Sequence, residues 1–364
     1  MKKRFIISGG GTGGHIYPAI SIANTLKELE PDCEILFVGA EGRMEMEKVP
    51  AAGYKIKGLP IMGLPRTITP KLFTFFVKWF KSRRLAKKII EDFAPNAAVG
   101  VGGYASGPLL KMAGKLGVPT IIQEQNSYAG ITNKLLAKDA NKICVAYEKM
   151  ERFFPKQKIV LTGNPIRKDV LKAVNLQEAR DFFGIKTDKP VVAIVGGSLG
   201  ARTINNAVLN SIEEIAKSDV EFIWQTGKFY YNEMVEKTKG KLPDNLHIFE
   251  FVTRMDFAFG LADMMVSRAG AGTISELCLV GMPTILVPSP NVAEDHQTKN
   301  AKALSDKGAA ILIRDNEIGD QLVDTVNKII HDKAELDKLK TEVKKLAKPN
   351  AAEDIARIVL EEAR

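Results

Sequence analysis

The chain is poor in cysteine: Cys33, Cys144 and Cys278 are odd in number, far apart and without a Cys-x-x-Cys partner. That argues against a disulfide framework and for a reducing compartment. No apolar run reaches the roughly 18 residues of a spanning helix. After Met1-Lys2-Lys3-Arg4 only Phe5-Ile6-Ile7 precedes a glycine cluster, short of the roughly 7 to 15 apolar residues of a signal-peptide core. A cytoplasmic protein is expected. No Gly-x-x-x-x-Gly-Lys-[Ser/Thr] occurs, so an NTPase would lack its phosphate-binding lysine. Asp-x-Asp, the usual metal and nucleotide clamp, is absent as well.

What remains is an ordinary globular composition, with 45% hydrophobic and 26% charged residues over 364 positions. This length suits two domains of about 150 to 200 residues. A formal charge of +9 admits nucleic acid, an anionic membrane or phosphorylated small molecules as partners, without choosing among them. Short apolar runs alternate with amphipathic stretches throughout, the pattern of βαβ units and mainly parallel sheets. The run Val191 to Val195 restarts the pattern seen at residue 4. Two doubly wound α/β domains are therefore expected, 1–163 and 164–350, with a final helix at 351–364 packing back on the first. Asn164-Pro165 marks the linker.

Three strand-to-helix corners carry glycine clusters: Gly9 to Gly14, Gly100 to Gly107, and Gly196 to Gly200. Glycine lets backbone N–H groups approach an anion or a sugar at the positive end of the following helix. A tight turn needing positive φ is the plainer reading of any one of them. A fourth corner, Ser267 to Glu276, offers Thr273 and Ser275 as phosphate donors and Glu276 as an acceptor for ribose hydroxyls; alone it reads equally as a capped helix. Gly9-x-Gly11-x-x-Gly14 fits a dinucleotide fingerprint formally, but the helix starts almost at once after His15, and Glu28 or Glu30 falls on that helix rather than at the end of the next strand.

Leu72 to Phe80 is interrupted only by Thr74 and Lys78, and its apolar side chains sweep roughly 200° of the helix, about twice a core-facing stripe. Lys81, Arg83, Arg84, Lys87 and Lys88 follow without an acid until Glu91. Aromatic and basic residues together read as an interfacial anchor for anionic lipid, with Phe75, Lys78 and Trp79 at its centre. The aromatics are massed rather than spaced as stacking platforms, which disfavours nucleic acid. A buried helix with a solvated basic end is the alternative.

Gly10-Gly-Thr-Gly-Gly-His15, Gly102-Gly-Tyr-x-Ser-Gly-Pro108, Gln123-Glu-Gln-Asn126, Gly163-Asn-Pro-Ile-Arg167, Gly196-Gly-Ser-x-Gly-Ala-Arg202 and Gly270-Ala-x-Thr-x-Ser-Glu276 occur in that order. Together they resemble the bacterial undecaprenyldiphospho-muramoylpentapeptide β-N-acetylglucosaminyltransferase family over nearly the whole chain. The resemblance implies a GT-B fold, two Rossmann-like domains facing a central cleft. It also implies inverting transfer of GlcNAc from UDP-GlcNAc to the C4 hydroxyl of MurNAc on undecaprenyl-linked lipid I, giving lipid II for peptidoglycan synthesis. The first domain then binds acceptor and membrane, and the second binds UDP-GlcNAc. Donor contacts carry over to Thr12, Gly13, Gly14, Asn126, Arg167, Ser198, Val252, Ala271, Gly272, Thr273, Ile274, Ser275, Glu276 and Gln297, and acceptor contacts to Gly103, Tyr104 and Ser106. Where the family has adjacent glutamines, this chain has His296-Gln297.

Inversion needs a base for the acceptor proton. His15, on the first glycine corner, is the natural candidate near neutral pH, with Glu124 as the alternative base or its orienting partner. His247 and His331 lie on a strand edge and a late charged helix. The departing pyrophosphate needs Arg167, Ser198, Thr273 and helix N-termini. No metal or cofactor is expected, and turnover should persist in EDTA. The expected location is the cytoplasmic face of the cell membrane, held peripherally on its anionic inner leaflet and within reach of the cell-wall synthesis machinery. Other GT-B readings are a diacylglycerol glucosyltransferase or a UDP-GlcNAc 2-epimerase. A non-catalytic nucleotide-sugar-binding protein would need neither His15 nor the aromatic helix.

Overall fold

The computed structural model describes residues 2–63, 70–166 and 168–363. The chain divides into two compact units, Met1–Ile166 with Lys348–Arg364, and Arg167–Ala347. The first contains strands β1 (Arg4–Ser8), β2 (Glu34–Ala40), β3 (Lys55–Leu59), β4 (Ala97–Gly100), β5 (Thr120–Glu124), β6 (Lys142–Val145) and β7 (Ile159–Leu161). The second contains β8 (Val191–Val195), β9 (Glu221–Gln225), β10 (Leu246–Phe249), β11 (Met264–Ser267), β12 (Thr284–Leu286) and β13 (Ile311–Leu312).

Every described strand pairing is parallel. The first sheet runs β3-β2-β1-β4-β5-β6-β7 and the second β10-β9-β8-β11-β12-β13. Strands buried on both faces explain the continuous apolar runs. In β1, Phe5 and Ile7 join one core cluster with Ile16, Ile22 and Leu26, while Ile6 turns to the opposite cluster with Leu36, Ile89 and Leu109, the period of two that a pleated strand imposes. Ile355, Ala356 and Val359 of the last helix, Ala351–Glu362, belong to the first of these clusters.

Strand order reverses between β1 and β4 in one sheet and between β8 and β11 in the other. Such switch points open a crevice beyond the carboxyl ends of the strands. The corners Gly9 to Gly14 and Gly100 to Gly107 flank the first switch point; Gly196 to Gly200 and Arg268 to Gly272 flank the second.

The long helix Pro70–Phe93 resolves its wide apolar sweep into two stripes. Ser82, Ala86, Ile89 and Ile90 are buried, and Trp79 packs against their cluster. Phe73, Phe76, Val77 and Phe80 are 76, 49, 52 and 60% exposed. Their spacing of i, i+3, i+4, i+7 places them on one outer face.

Candidate active site

At the first corner, Thr12 caps the helix Gly13–Leu29 in extended conformation. His15 is half-buried in its first turn. Its Nδ1 lies 3.1 Å from the Gly10 carbonyl and 3.3 Å from the Thr12 hydroxyl. A carbonyl can only accept, so the shared proton sits on Nδ1 and the neutral ring carries its lone pair on Nε2. The corner after β4 closes on the same ring. Gly102, at φ +101°, would bring a Cβ to 2.8 Å from Nε2. Ser106 is fully buried, and its hydroxyl faces the carbonyls of Ser8 at 3.0 Å and Gly102 at 2.8 Å, fastening the two corners together.

Beyond β5 an amide network holds the next loop. Gln123 donates to Asn164 at 2.9 Å, Asn164 to the Gln125 carbonyl at 3.1 Å, and Gln125 to the Val101 carbonyl at 2.6 Å. Glu124 is 1% exposed. Its Oε1 accepts from the backbone and side-chain nitrogens of Asn126 at 3.1 and 3.3 Å; Oε2 accepts from Gly130 N–H at 2.9 Å and Asn133 Nδ2 at 2.8 Å.

The second unit repeats the device. Gln225, buried at the end of β9, donates to the Gly197 carbonyl at 3.1 Å and accepts from Val252 N–H at 2.8 Å, joining two loops. Arg268 pairs with Asp315, donates to the Val287 carbonyl at 3.1 Å, and reaches the Thr203 hydroxyl at 2.8 Å. The helix Ala271–Val280 starts at Gly270 in extended conformation and stops at Gly281, φ +72°. Its first turn, which carries Thr273, presents N–H groups at the positive end of the helix dipole. Ser275 donates to the Ala271 carbonyl at 2.9 Å. Before the helix His296–Ser305, Glu294 and Asp295 hold φ of +57° and +49°, and Gln297 Oε1 accepts from Ser289 N–H at 2.9 Å.

The glycosyltransferase family 28 N-terminal domain matches residues 5–145, and its C-terminal domain residues 191–355. A UDP-N-acetylglucosamine–N-acetylmuramyl-(pentapeptide) pyrophosphoryl-undecaprenol N-acetylglucosamine transferase of Parabacteroides distasonis is 57% identical, across 97% of this chain and 96% of its own. The chain belongs to glycosyltransferase family 28. A Phocaeicola vulgatus protein with the same name is also 57% identical, over 98% of this chain and 95% of its own. The crystal structure of Acinetobacter baumannii MurG superposes with a TM-score of 0.79 at 26% identity, covering 99% of each chain. The fold is thus the GT-B type that the motifs suggested, and the chain is a hexosyltransferase.

Within this family 28 framework Thr12, Gly13, Gly14 and His15 share one corner, and Ala271 to Glu276 form one helix start. Ile274 and Val252 are buried, and the Val252 N–H is engaged by Gln225. Arg167 lies outside the described residues. Tyr104 is 43% exposed and lies beneath the Arg43 guanidinium, 5.8 Å from its ring centroid.

Three expectations change. Glu124 is not placed as a base, because four donors occupy both its oxygens, and its orienting action falls on Asn126 rather than on His15. Ser106 presents no hydroxyl to an acceptor, since that group is buried between two carbonyls. Trp79 belongs to the protein-facing side of its helix: a Cβ on Gly107 would touch its ring at 3.3 Å, and Phe75 stacks on it with centroids 6.2 Å apart. Sequence reasoning missed Glu45, Gln225 and the pair Arg268 and Asp315. Glu45 is 1% exposed, and its carboxylate accepts from Gly11 N–H at 2.8 Å and Ala40 N–H at 3.0 Å.

Proposed function

We propose that the chain moves GlcNAc from UDP-GlcNAc to the C4 hydroxyl of MurNAc-pentapeptide on undecaprenyl pyrophosphate, converting lipid I to lipid II with inversion, and that His15 is the base. The near full-length identity of 57% to proteins of that name carries the reaction; the Nδ1 contact with the Gly10 carbonyl supports the base. As the C4 oxygen attacks the anomeric carbon, its proton passes to Nε2. The bond from that carbon to the β-phosphate oxygen breaks, and the electron pair leaves on UDP. The imidazolium then carries a proton on each nitrogen, with Nδ1–H still donating to Gly10.

The growing charge on UDP calls for N–H groups rather than bulk water. The starts of the helices Ala271–Val280 and Arg202–Asn210 supply such groups, with Thr273, Ser198 and Arg167 as partners. Thr12, Gly13, Gly14, Asn126, Val252, Glu276 and Gln297 complete the donor contacts of this reading, and Gly103 and Tyr104 serve the acceptor. The first unit takes the lipid-linked acceptor and the second takes UDP-GlcNAc.

The acceptor's polyprenyl chain lies in a bilayer, and the outer face of Pro70–Phe93 suits its surface. Phe73, Phe76, Val77 and Phe80 are exposed beside the basic residues Lys81, Arg84, Lys87 and Lys88. No helix among the described residues is long and apolar enough to cross a membrane. The exposed aromatic and basic face supports placing the enzyme peripherally on an anionic inner leaflet, within reach of other cell-wall enzymes.

Transfer of radiolabelled GlcNAc from UDP-GlcNAc to a lipid I analogue tests the reading. His15→Ala should lower kcat by about 10²- to 10⁴-fold, the worth of a general base, with UDP-GlcNAc binding retained. Normal turnover in that variant removes the base; failure of the unaltered enzyme to label the lipid removes the reaction.

A further inference from the structure

Glu45 stands at the start of the helix Glu45–Ala51, beyond the end of β2. Two glycines make room for its side chain. A Cβ on Gly39 would lie 2.6 Å from its Cγ, and one on Gly10 would collide with its carboxylate. Both oxygens accept backbone N–H groups, Oε1 from Ala40 and Oε2 from Gly11.

Gly11 N–H and Gly10 C=O are the two ends of one peptide unit. The N–H end meets Glu45 at 2.8 Å and the carbonyl end meets His15 Nδ1 at 3.1 Å. A buried carboxylate, a peptide and an imidazole therefore stand in series. The peptide is conjugated, so drawing on its N–H raises the negative charge on its oxygen. Hydrogen bonds in a chain strengthen one another by roughly 10–30% each.

We propose that Glu45 is a positioning residue for His15, acting through the Gly10–Gly11 peptide. In a Ser-His-Asp triad a carboxylate holds Nδ1–H directly, fixing the tautomer and stabilising the imidazolium. Here the same two effects are transmitted across one peptide. The carboxylate fixes the Gly10 carbonyl toward Nδ1, which keeps the Nε2 lone pair available to the acceptor hydroxyl. Its charge favours the imidazolium that forms when that proton arrives. The proposal rests on the reading of His15 as the base.

The experiment compares kcat against pH for the unaltered enzyme, Glu45→Gln, His15→Ala and the double variant, alongside UDP-GlcNAc binding and thermal melting. Glutamine keeps the shape but accepts on one atom only. Glu45→Gln should lower kcat by about tenfold or more, the lower end for partners that orient a working histidine. The acid-side fall in rate should move to lower pH, because the imidazolium has lost a stabilising charge. The KM for UDP-GlcNAc should change less than about twofold, and adding Glu45→Gln to His15→Ala should cost little more. A folded Glu45→Gln with an unmoved pH profile overturns the proposal while leaving the base intact, as does an undiminished penalty in the His15→Ala background. Wild-type turnover in His15→Ala overturns the base reading and this proposal with it. Should Glu45→Gln fail to fold, nitrogen-15 NMR of histidine-labelled wild-type enzyme decides, with His15→Ala assigning the signal. A Nδ1–H tautomer for His15 is expected, and a Nε2–H tautomer overturns the relay.

Discussion

Gly102→Ala tests whether the corner after β4 holds the base in place. Gly102 has φ +101°, and a Cβ there would lie 2.7 Å from Cδ2 and 2.8 Å from Nε2 of His15. Non-glycine backbone in such a region costs about 1–3 kcal/mol. Overpacking one methyl into a filled site costs about 1–3 kcal/mol more. The ring has little room to yield, because its other side is tied to Gly10. The sum, about 2–6 kcal/mol, lowers the melting temperature by roughly 2–4 °C per kcal/mol in a domain of this size. A displacement on the order of 1 Å lowers kcat by about 10²-fold. Gly117→Ala is the control: it carries φ +76° in the same unit with nothing within 4 Å of the added Cβ. It should melt a few degrees lower and transfer GlcNAc at the wild-type rate. Initial rates with the lipid I analogue, taken well below both transitions, separate strain from displacement. A folded Gly102→Ala with kcat within about threefold of wild type would refute the reasoning.

Glu124→Gln should orphan at least one of four donors and destabilise the first unit by about 1–3 kcal/mol. The KM for UDP-GlcNAc should rise more than kcat falls, and a kcat loss matching His15→Ala would restore Glu124 as a base. Burial pushes the Cys144 and Cys278 thiols up to about 12 and raises the Cys33 thiol above its ordinary value, so each carries less thiolate than a free cysteine at the same pH. A disulfide reagent at mildly alkaline pH should label the native enzyme at trace level and three thiols after denaturation; rapid native labelling contradicts this. Phe73→Glu with Phe80→Glu should abolish flotation on anionic vesicles without altering the melting temperature. Trp79→Glu should do the reverse, and equal loss of flotation in both would return Trp79 to the membrane face.

Much of the fold was legible because its strands are short apolar runs bounded by glycine, proline or charge. The run Val191 to Val195 that restarts the pattern is β8, and the pattern's first strand begins at Arg4. Sheet order was not legible, since it depends on pairings between distant segments. The helix Leu176–Phe183 escaped notice although Asn175 caps Gln177 and Glu178, and Gly184 at φ +75° ends it. Eight residues are too few for an apolar period to stand out, so only the caps mark this helix. The stretch after Arg202 is not one continuous helix. It breaks at Ser211, between Arg202–Asn210 and Ile212–Lys217, where Asn and Ser offer the backbone local alternatives. The aromatic helix was misread at single residues because projection gives the width of an apolar surface, not which edge a neighbouring helix covers.

The glycine corners were visible in the sequence, but the groups that set their geometry were not, and the reason is general. A chain turning through positive φ aims some peptide groups inward, where each needs a partner. Regular pairing cannot supply it past the strand end, so a buried side chain from a distant segment must. Glu45 lies 34 residues from Gly11 and reads locally as an acid in the first turn of a helix. Gln225 lies 28 residues from Gly197 and reads as the polar end of a strand. Neither spacing forms a motif. Glu45 becomes recognisable through the cavity that Gly10 and Gly39 leave for it, and Gln225 only through its hydrogen bonds to Gly197 and Val252. A glycine corner and its buried side-chain partner, an acceptor in Glu45 and a donor in Gln225, therefore form one unit, and changing either alone displaces the peptide groups that the ligand or the base depends on.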